Sequence, residues 1–179
     1  MNRRETERRE RLKEKFNKLG LQHFAFWEVT SVIERTRGEV SNSYPLPHMH
    51  DTFCAIFLIA DKIRDTLGSS ISLLSAYRNP KYNALVDGAA HSRHIHGAAL
   101  DLTSHVGARR LYNAAMRVRQ EDWPYGFPNW VPELRGVEGE LGESLSQNKR
   151  AFKWKGGIGL YESRNFIHID LRARHANWT

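Results

Sequence analysis

A chain of 179 residues, 40% of them hydrophobic, is about one domain in size and buries a core without disulfide support. Its single cysteine, Cys54, excludes an internal disulfide and a cysteine-based zinc cluster, so any metal site must be built from His, Asp or Glu. The net charge of +7 favours an anionic partner (nucleic acid, an acidic membrane surface or an anionic cell wall) and does not choose among them.

Residues 4–19 alternate Arg and Lys with Glu at helical spacing and are followed by Gly20, which predicts a solvated helix laced by i,i+4 ion pairs. With only Leu12, Phe16 and Leu19 to dock it, this helix is expected to be peripheral, dividing residues 1–20 from a globular domain over 21–179. No apolar run follows the basic N-terminal residues and none approaches about eighteen residues, so neither a secretory signal nor a membrane span is expected. Residues 23–29 are aromatic-rich, and 38–47, with Asn, Ser, Gly and Pro, read as loop; His48 and His50 at its end read as a solvated pair rather than metal ligands.

From 51 to 67, Phe53, Ile56, Phe57, Ala60, Ile63 and Leu67 recur at three- and four-residue steps, predicting the central core helix, with Cys54 as a small buried hydrophobe and Gly68 as the stop. Residues 71–76 read as a short buried strand, 97–103 as a second strand, and 106–118 as a second helix carrying Leu111, Ala115 and Val118. Residues 120–155 read as a long ordered loop whose Trp123, Tyr125, Phe127, Trp130 and Trp154 suit either the wall of a cleft or a satellite cluster. Residues 156–161 and 165–171 are expected to form two antiparallel strands joined by a turn at 162–164.

Polar residues stand out where a core would take apolar ones. In an extended segment from Gly97 onward, Ala99, Asp101 and Thr103 share one face, and the small residues Gly97, Ala98 and Ala99 leave room for the chain entering at His94 to fold back towards Asp101. In Phe166-Ile167-His168-Ile169-Asp170, the two isoleucines face one side while His168 and Asp170 face the other, a costly burial unless the polar groups are paired or metal-bound. Two His and one Asp supply three N/O ligands and leave a fourth position for water, the pattern of catalytic zinc.

Ser92-x-His94-x-x-Gly97-x-Ala99-x-Asp101, Gly156-Gly157-Ile158-Gly159-x-Tyr161 and Phe166-Ile167-His168-Ile169-Asp170, with Ser75-Ala76-Tyr77-Arg78-Asn79-Pro80 upstream, resemble in order and spacing the D-alanyl-D-alanine metallopeptidases. That fold group also includes lysostaphin-type endopeptidases and the zinc domain of sonic hedgehog. The resemblance runs from about residue 23 to 178. It implies an α+β fold, a small mainly antiparallel sheet with a zinc site on one face and the helices at 51–67 and 106–118 on the other. It implies Zn2+ held by His94, Asp101 and His168, with Arg78 binding a substrate carboxylate or polarised carbonyl and Ser92 as a further substrate contact. The implied partners are peptidoglycan stem peptides, acted on by a monomer with no specific nucleic acid.

The pattern departs from many relatives, which carry an acidic residue three positions before the last zinc-binding histidine or a histidine two before it. Here those positions are Asn165 and Phe166. The closer resemblance is to the murein endopeptidase branch, and Asp170 is expected as general base, His96 next and Glu162 third; Asp170 is alternatively the carboxylate that accepts from a zinc-bound histidine. Without an export signal, the protein is expected to be made in the cytoplasm and to reach the wall after release, as phage lytic proteins do, or to have lost a leader. Two rival classes stand beside this reading. One is a non-catalytic zinc-stabilised binding domain of the same fold; the other is a basic nucleic-acid binder, which has the charge but no readout motif.

Overall fold

The structure, a computed structural model, describes residues 2–121, 154–172 and 174–179. Helix α1 (Arg3–Lys18) starts at Asn2, whose side chain accepts from the Glu5 N–H. Its Leu12, Phe16 and Leu19 are 0–2% exposed and belong to the same core as the rest of the chain. The Phe16 ring meets Phe26 and Phe57 edge-on, with centroids 5.7 and 5.0 Å away, and Lys15 Nζ lies 2.5 Å from Asp51. The helix expected to be peripheral is therefore fastened to the body, because residues 12, 16 and 19 fall on one narrow helical stripe.

The aromatic stretch turns helical as α2 (Phe26–Ile33), where the Glu28 carboxylate accepts from the Ala25 N–H, half of a capping box. Short strands β1 (Thr36–Arg37) and β2 (Val40–Ser41) form a hairpin that starts just before the segment read as loop and takes in its first residues. His50, expected to be solvated, opens α3 (His50–Leu67) and is buried, its Nε2 3.1 Å from the Pro45 carbonyl. Cys54 is buried within the same helix. Beyond it come β3 (Ser72–Ser75), the one-and-a-half-turn α4 (Pro80–Leu85), β4 (Ala99–Thr103), α5 (Ala108–Gln120), β5 (Gly157–Tyr161), β6 (Phe166–Asp170) and β7 (Ala176–Trp178). Helix α4 carries signals already in the sequence, Asn79 as N-cap and Pro80 at the first helical position.

The strands form a sheet in the order β3-β4-β6-β5-β7, antiparallel except for the β5-β7 pair. The fold is α+β. Leu100, Leu102, Ile158, Leu160, Ile167 and Ile169 are at most 2% exposed on the face that meets α3 and α5, each fully buried side chain contributing about 1.5–3 kcal/mol. The opposite face carries Asp101, His168 and Asp170. The strand read as buried at 71–76 is in fact an edge: Leu73 is covered but Leu74 is 37% exposed. At the far edge, the buried Arg119 of α5 donates to the Gly156 and Ala176 carbonyls, tying the helix to β5 and β7. No helix among the described residues is long and apolar enough to cross a membrane. Of the long segment read as loop, residues 122–153, with Trp123, Tyr125, Phe127 and Trp130, lie outside the described residues. Trp154 is 1% exposed and donates to the Asp170 carbonyl, a core side chain rather than a cleft wall.

Candidate metal centre

Strand pairing builds the site. Asp101 of β4 lies directly opposite His168 of β6, and Ala99 opposite Asp170, so the polar residues of both strands share one face. His94 arrives from the 3-10 turn Arg93–His96, which Ser92 caps. Gly97, in the left-handed region at φ +67°, reverses the chain from that turn into β4 at a conformation that side-chain-bearing residues rarely adopt. One extra residue in β3 between Leu73 and Ser75 sets Ser75, not Leu74, opposite Asp101.

His94 Nε2 lies 3.2 Å and His168 Nδ1 3.0 Å from the same Asp101 oxygen, Oδ1, and the three ligand atoms are all within 4.8 Å of one another. A tetrahedral zinc with ligand distances of about 2.0–2.1 Å has ligand atoms about 3.3 Å apart, so the spacings to Oδ1 are close to what the ion requires. The remaining ring nitrogens are committed to acceptors. His94 Nδ1 is 2.6 Å from the Ala76 carbonyl, and His168 Nε2 is 3.2 Å from Asp170 Oδ2. A carbonyl and a carboxylate only accept, so each ring can carry its proton on that side, which would leave the nitrogen beside Asp101 a lone pair for a metal. The donor set and its tautomers fit a divalent metal.

Burial pushes the Asp101 carboxyl up, but His94 and the hydrogen bond from His168 outweigh it and hold the group far below the usual carboxylate range. Burial lowers His94, favouring the neutral ring that ligation needs. Burial also opposes the charged form of His168, yet its bonds to Asp101 and Asp170 raise it.

Asp170 is 0% exposed. It accepts from the Gly157 N–H at 2.9 Å and from Arg172 Nη2 at 2.6 Å; burial would raise its carboxyl, while His168 and Arg172 hold it well below the ordinary range. It does not line the cleft beside the cluster. Gly157 and Gly159 make space on this face: a Cβ on Gly157 would lie 2.8 Å from the Asp170 carboxylate, and one on Gly159 2.4 Å from the Trp178 indole. Trp178 packs against His168, with centroids 5.4 Å apart, and beneath the Arg172 guanidinium at 4.9 Å.

Arg78 donates from Nη2 to Asp101 Oδ2 at 2.5 Å and from Nε to Ser75 Oγ at 2.8 Å. Asn42, in the stretch read as loop, grips both ends of this segment, donating to the Tyr77 carbonyl and accepting from the Asn79 N–H. Arg78 and Ser92 both line a cleft of about 900 Å³ that runs over His94, Asp101 and His168. His96 is exposed and does not line it, and Glu162 is exposed and paired with Arg109 at 2.7 Å, so neither alternative base is brought to the cluster. Asn165, where relatives carry an acid, sits at φ +52° and accepts from the Ala108 N–H, capping α5. Sequence reasoning missed Arg172, Trp178 and the cleft-lining His91; the Asp170-x-Arg172 spacing and the alternating glycines of β5 were the available signals for the first two.

A helix-backed sheet whose open face gathers two imidazoles and a carboxylate at the floor of a cleft defines a protein with a candidate metal centre. Residues 23–130, more than half of the chain, match the family described as Peptidase M15, and the chain belongs to that family of D-alanyl-D-alanine metallopeptidase-like peptidases. The matched stretch includes Arg78, His94 and Asp101; His168 joins them through the β4–β6 pairing. Comparison with curated proteins gives no match.

Proposed function

We propose that the chain is a zinc metallopeptidase that hydrolyses peptide bonds involving D-amino acids in peptidoglycan. The observation that carries this reading is the convergence of His94 Nε2, Asp101 Oδ1 and His168 Nδ1 in the cleft of a Peptidase M15 chain. Two imidazoles and one carboxylate suit zinc, which when bound supplies a Lewis acid that polarises a carbonyl and acidifies water. The protein's own groups set the stage. The Ala76 carbonyl and Asp170 fix the two rings, and Arg78 holds the second oxygen of Asp101. Arg78 Nη1 has no hydrogen bond among the described residues and is available on the cleft wall to a substrate carbonyl or carboxylate.

Asp170, tied to Arg172 and turned to His168, acts in this reading as a positioning residue and not as the general base. Outside the cluster, the carboxylate and imidazole on the cleft wall among the described residues are Asp87 and His91. A second, smaller pocket shares Arg78, Val86, Asp101 and Phe166 with the main cleft. Space on both sides of the Arg78–Asp101 pair supports an endopeptidase, since a carboxypeptidase needs the chain to stop beside the metal.

The second reading, a zinc-stabilised binding domain, is favoured by the full engagement of Asp170. Zinc-loaded protein is incubated with purified peptidoglycan, with and without chelator, and the soluble fragments are weighed by mass spectrometry. Chelator-sensitive release of stem-peptide fragments supports the peptidase; retention on the wall with no fragments supports the binding domain.

A further inference from the structure

Among the described residues, five arginines line the main cleft: Arg78, Arg93, Arg164, Arg172 and Arg174. Two are neutralised, Arg78 by Asp101 and Arg172 by Asp170. The side chains of Arg93, in the turn that delivers His94, Arg164, in the turn between β5 and β6, and Arg174, in the segment leading to β7, make no hydrogen bond or ion pair among the described residues. Among the described residues, the one other carboxylate on the cleft wall is Asp87, which is exposed. The contrast with the surrounding surface is informative: Arg109, just outside the cleft, is paired with Glu162, and Arg35, in the adjoining pocket, is spent on the Ser31 and Leu74 carbonyls. That adjoining pocket is otherwise largely apolar, with Val32, Leu74, Tyr82, Val86 and Phe166. The cleft therefore has a cationic arm and an apolar arm, which meet at Arg78 and Asp101.

We propose that Arg93, Arg164 and Arg174 form a carboxylate-binding subsite that selects acidic peptides, holding a free carboxylate on a residue removed from the bond under attack. Three guanidinium forks contributed by three separate turns match a substrate bearing several carboxylates, each fork able to take one bidentately. A concave wall with this excess charge also concentrates anionic chains before they dock. The subsite rests on the peptidase reading for its substrate, but it is tested by binding.

Zinc-loaded protein is titrated into a fluorescein-labelled peptide of mixed L- and D-residues that contains glutamate, with its carboxylates either free or converted to carboxamides, and anisotropy is followed. The free acid is expected to bind about 10-fold tighter or more, a difference of about 1.4 kcal/mol. The preference should shrink with salt. It is expected to be lost in Arg164→Ala/Arg174→Ala and kept in Arg109→Ala, which lies outside the cleft. Equal binding of the two forms, no binding of either, or a preference that survives the double substitution overturns the subsite. Stronger displacement by inorganic phosphate than by glutarate overturns the carboxylate assignment in favour of a phosphate site. Selective binding without hydrolysis leaves the subsite standing and refutes the peptidase; hydrolysis without selectivity does the reverse.

Discussion

Replacing Asp170 by asparagine keeps its size and removes a charge from a side chain that is 0% exposed. Asp170 Oδ1 accepts from the Gly157 N–H, the Arg172 N–H and Arg172 Nε at 2.9, 3.1 and 2.9 Å, while Oδ2 faces Arg172 Nη2 at 2.6 Å and His168 Nε2 at 3.2 Å. An amide has one acceptor oxygen, so in either orientation its NH2 meets donors that have lost their partner. Removing one member of a fully buried ion pair costs about 3–5 kcal/mol. The Arg172 side chain is 25% exposed and recovers some hydration, so about 2–3 kcal/mol is expected. In a chain of this length that is about 5–10 °C in Tm. The His168 ring also loses the acceptor that fixes its tautomer, and zinc affinity should fall about 10- to 100-fold, with activity recovered by added zinc. Thermal denaturation, competition with a chromophoric chelator and turnover against zinc concentration read the three effects. If Asp170→Asn keeps its Tm and zinc affinity while turnover falls about 10²-fold or more, Asp170 is a general base and the positioning argument is wrong.

Arg78→Lys is expected to lower kcat/KM by about 10²-fold, because a lysine cannot bridge Ser75 Oγ and Asp101 Oδ2 together; activity within about threefold of the parent refutes this. Gly159→Ala pushes a methyl into the Trp178 indole and should cost about 1–3 kcal/mol while changing tryptophan fluorescence; an unaltered spectrum and Tm would show that the indole is not held over the site. Deleting residues 1–20 removes three core side chains, Leu12, Phe16 and Leu19, each contributing about 1.5–3 kcal/mol, so the truncated chain is expected to be markedly less stable to urea, and an unchanged midpoint would return the helix to the periphery. Burial lowers His50, with Lys15 and Arg11 adding to it and the Pro45 bond and Asp51 opposing. The unfolded chain therefore binds more protons, and this contribution to stability is full above an ordinary histidine value near 6.5 and declines as pH falls below it, by at most about 1.4 kcal/mol per pH unit. His50→Gln, compared with the parent at saturating zinc, should flatten the stability profile between about pH 7 and pH 5, and parallel profiles would contradict the assignment.

The candidate metal-binding residues were readable before folding because each lies in a local pattern. Period-two alternation in Phe166-Ile167-His168-Ile169-Asp170 sets His168 and Asp170 on one face, and the small residues between His94 and Asp101 permit the turn that brings them together. The central helix was readable for the same reason, its apolar spacing matching the helical repeat. Alternation does not say which strand is the neighbour or in what register. Asp101 and His168, 67 residues apart, meet because β4 and β6 pair at that position, and Trp178 reaches His168 because three residues of β7 add to the far side of β5. Asp170 shows the limit most clearly: its position beside His168 follows from two-residue periodicity, but its role depends on its partners. The Gly157 N–H comes from the neighbouring strand and the Arg172 guanidinium folds back over β6, and only that packing shows a carboxylate whose oxygens are already engaged by donors. The docking of α1 was decided in the same way, since three apolar residues on a charged helix acquire their value only when Phe26 and Phe57 supply the surface they cover.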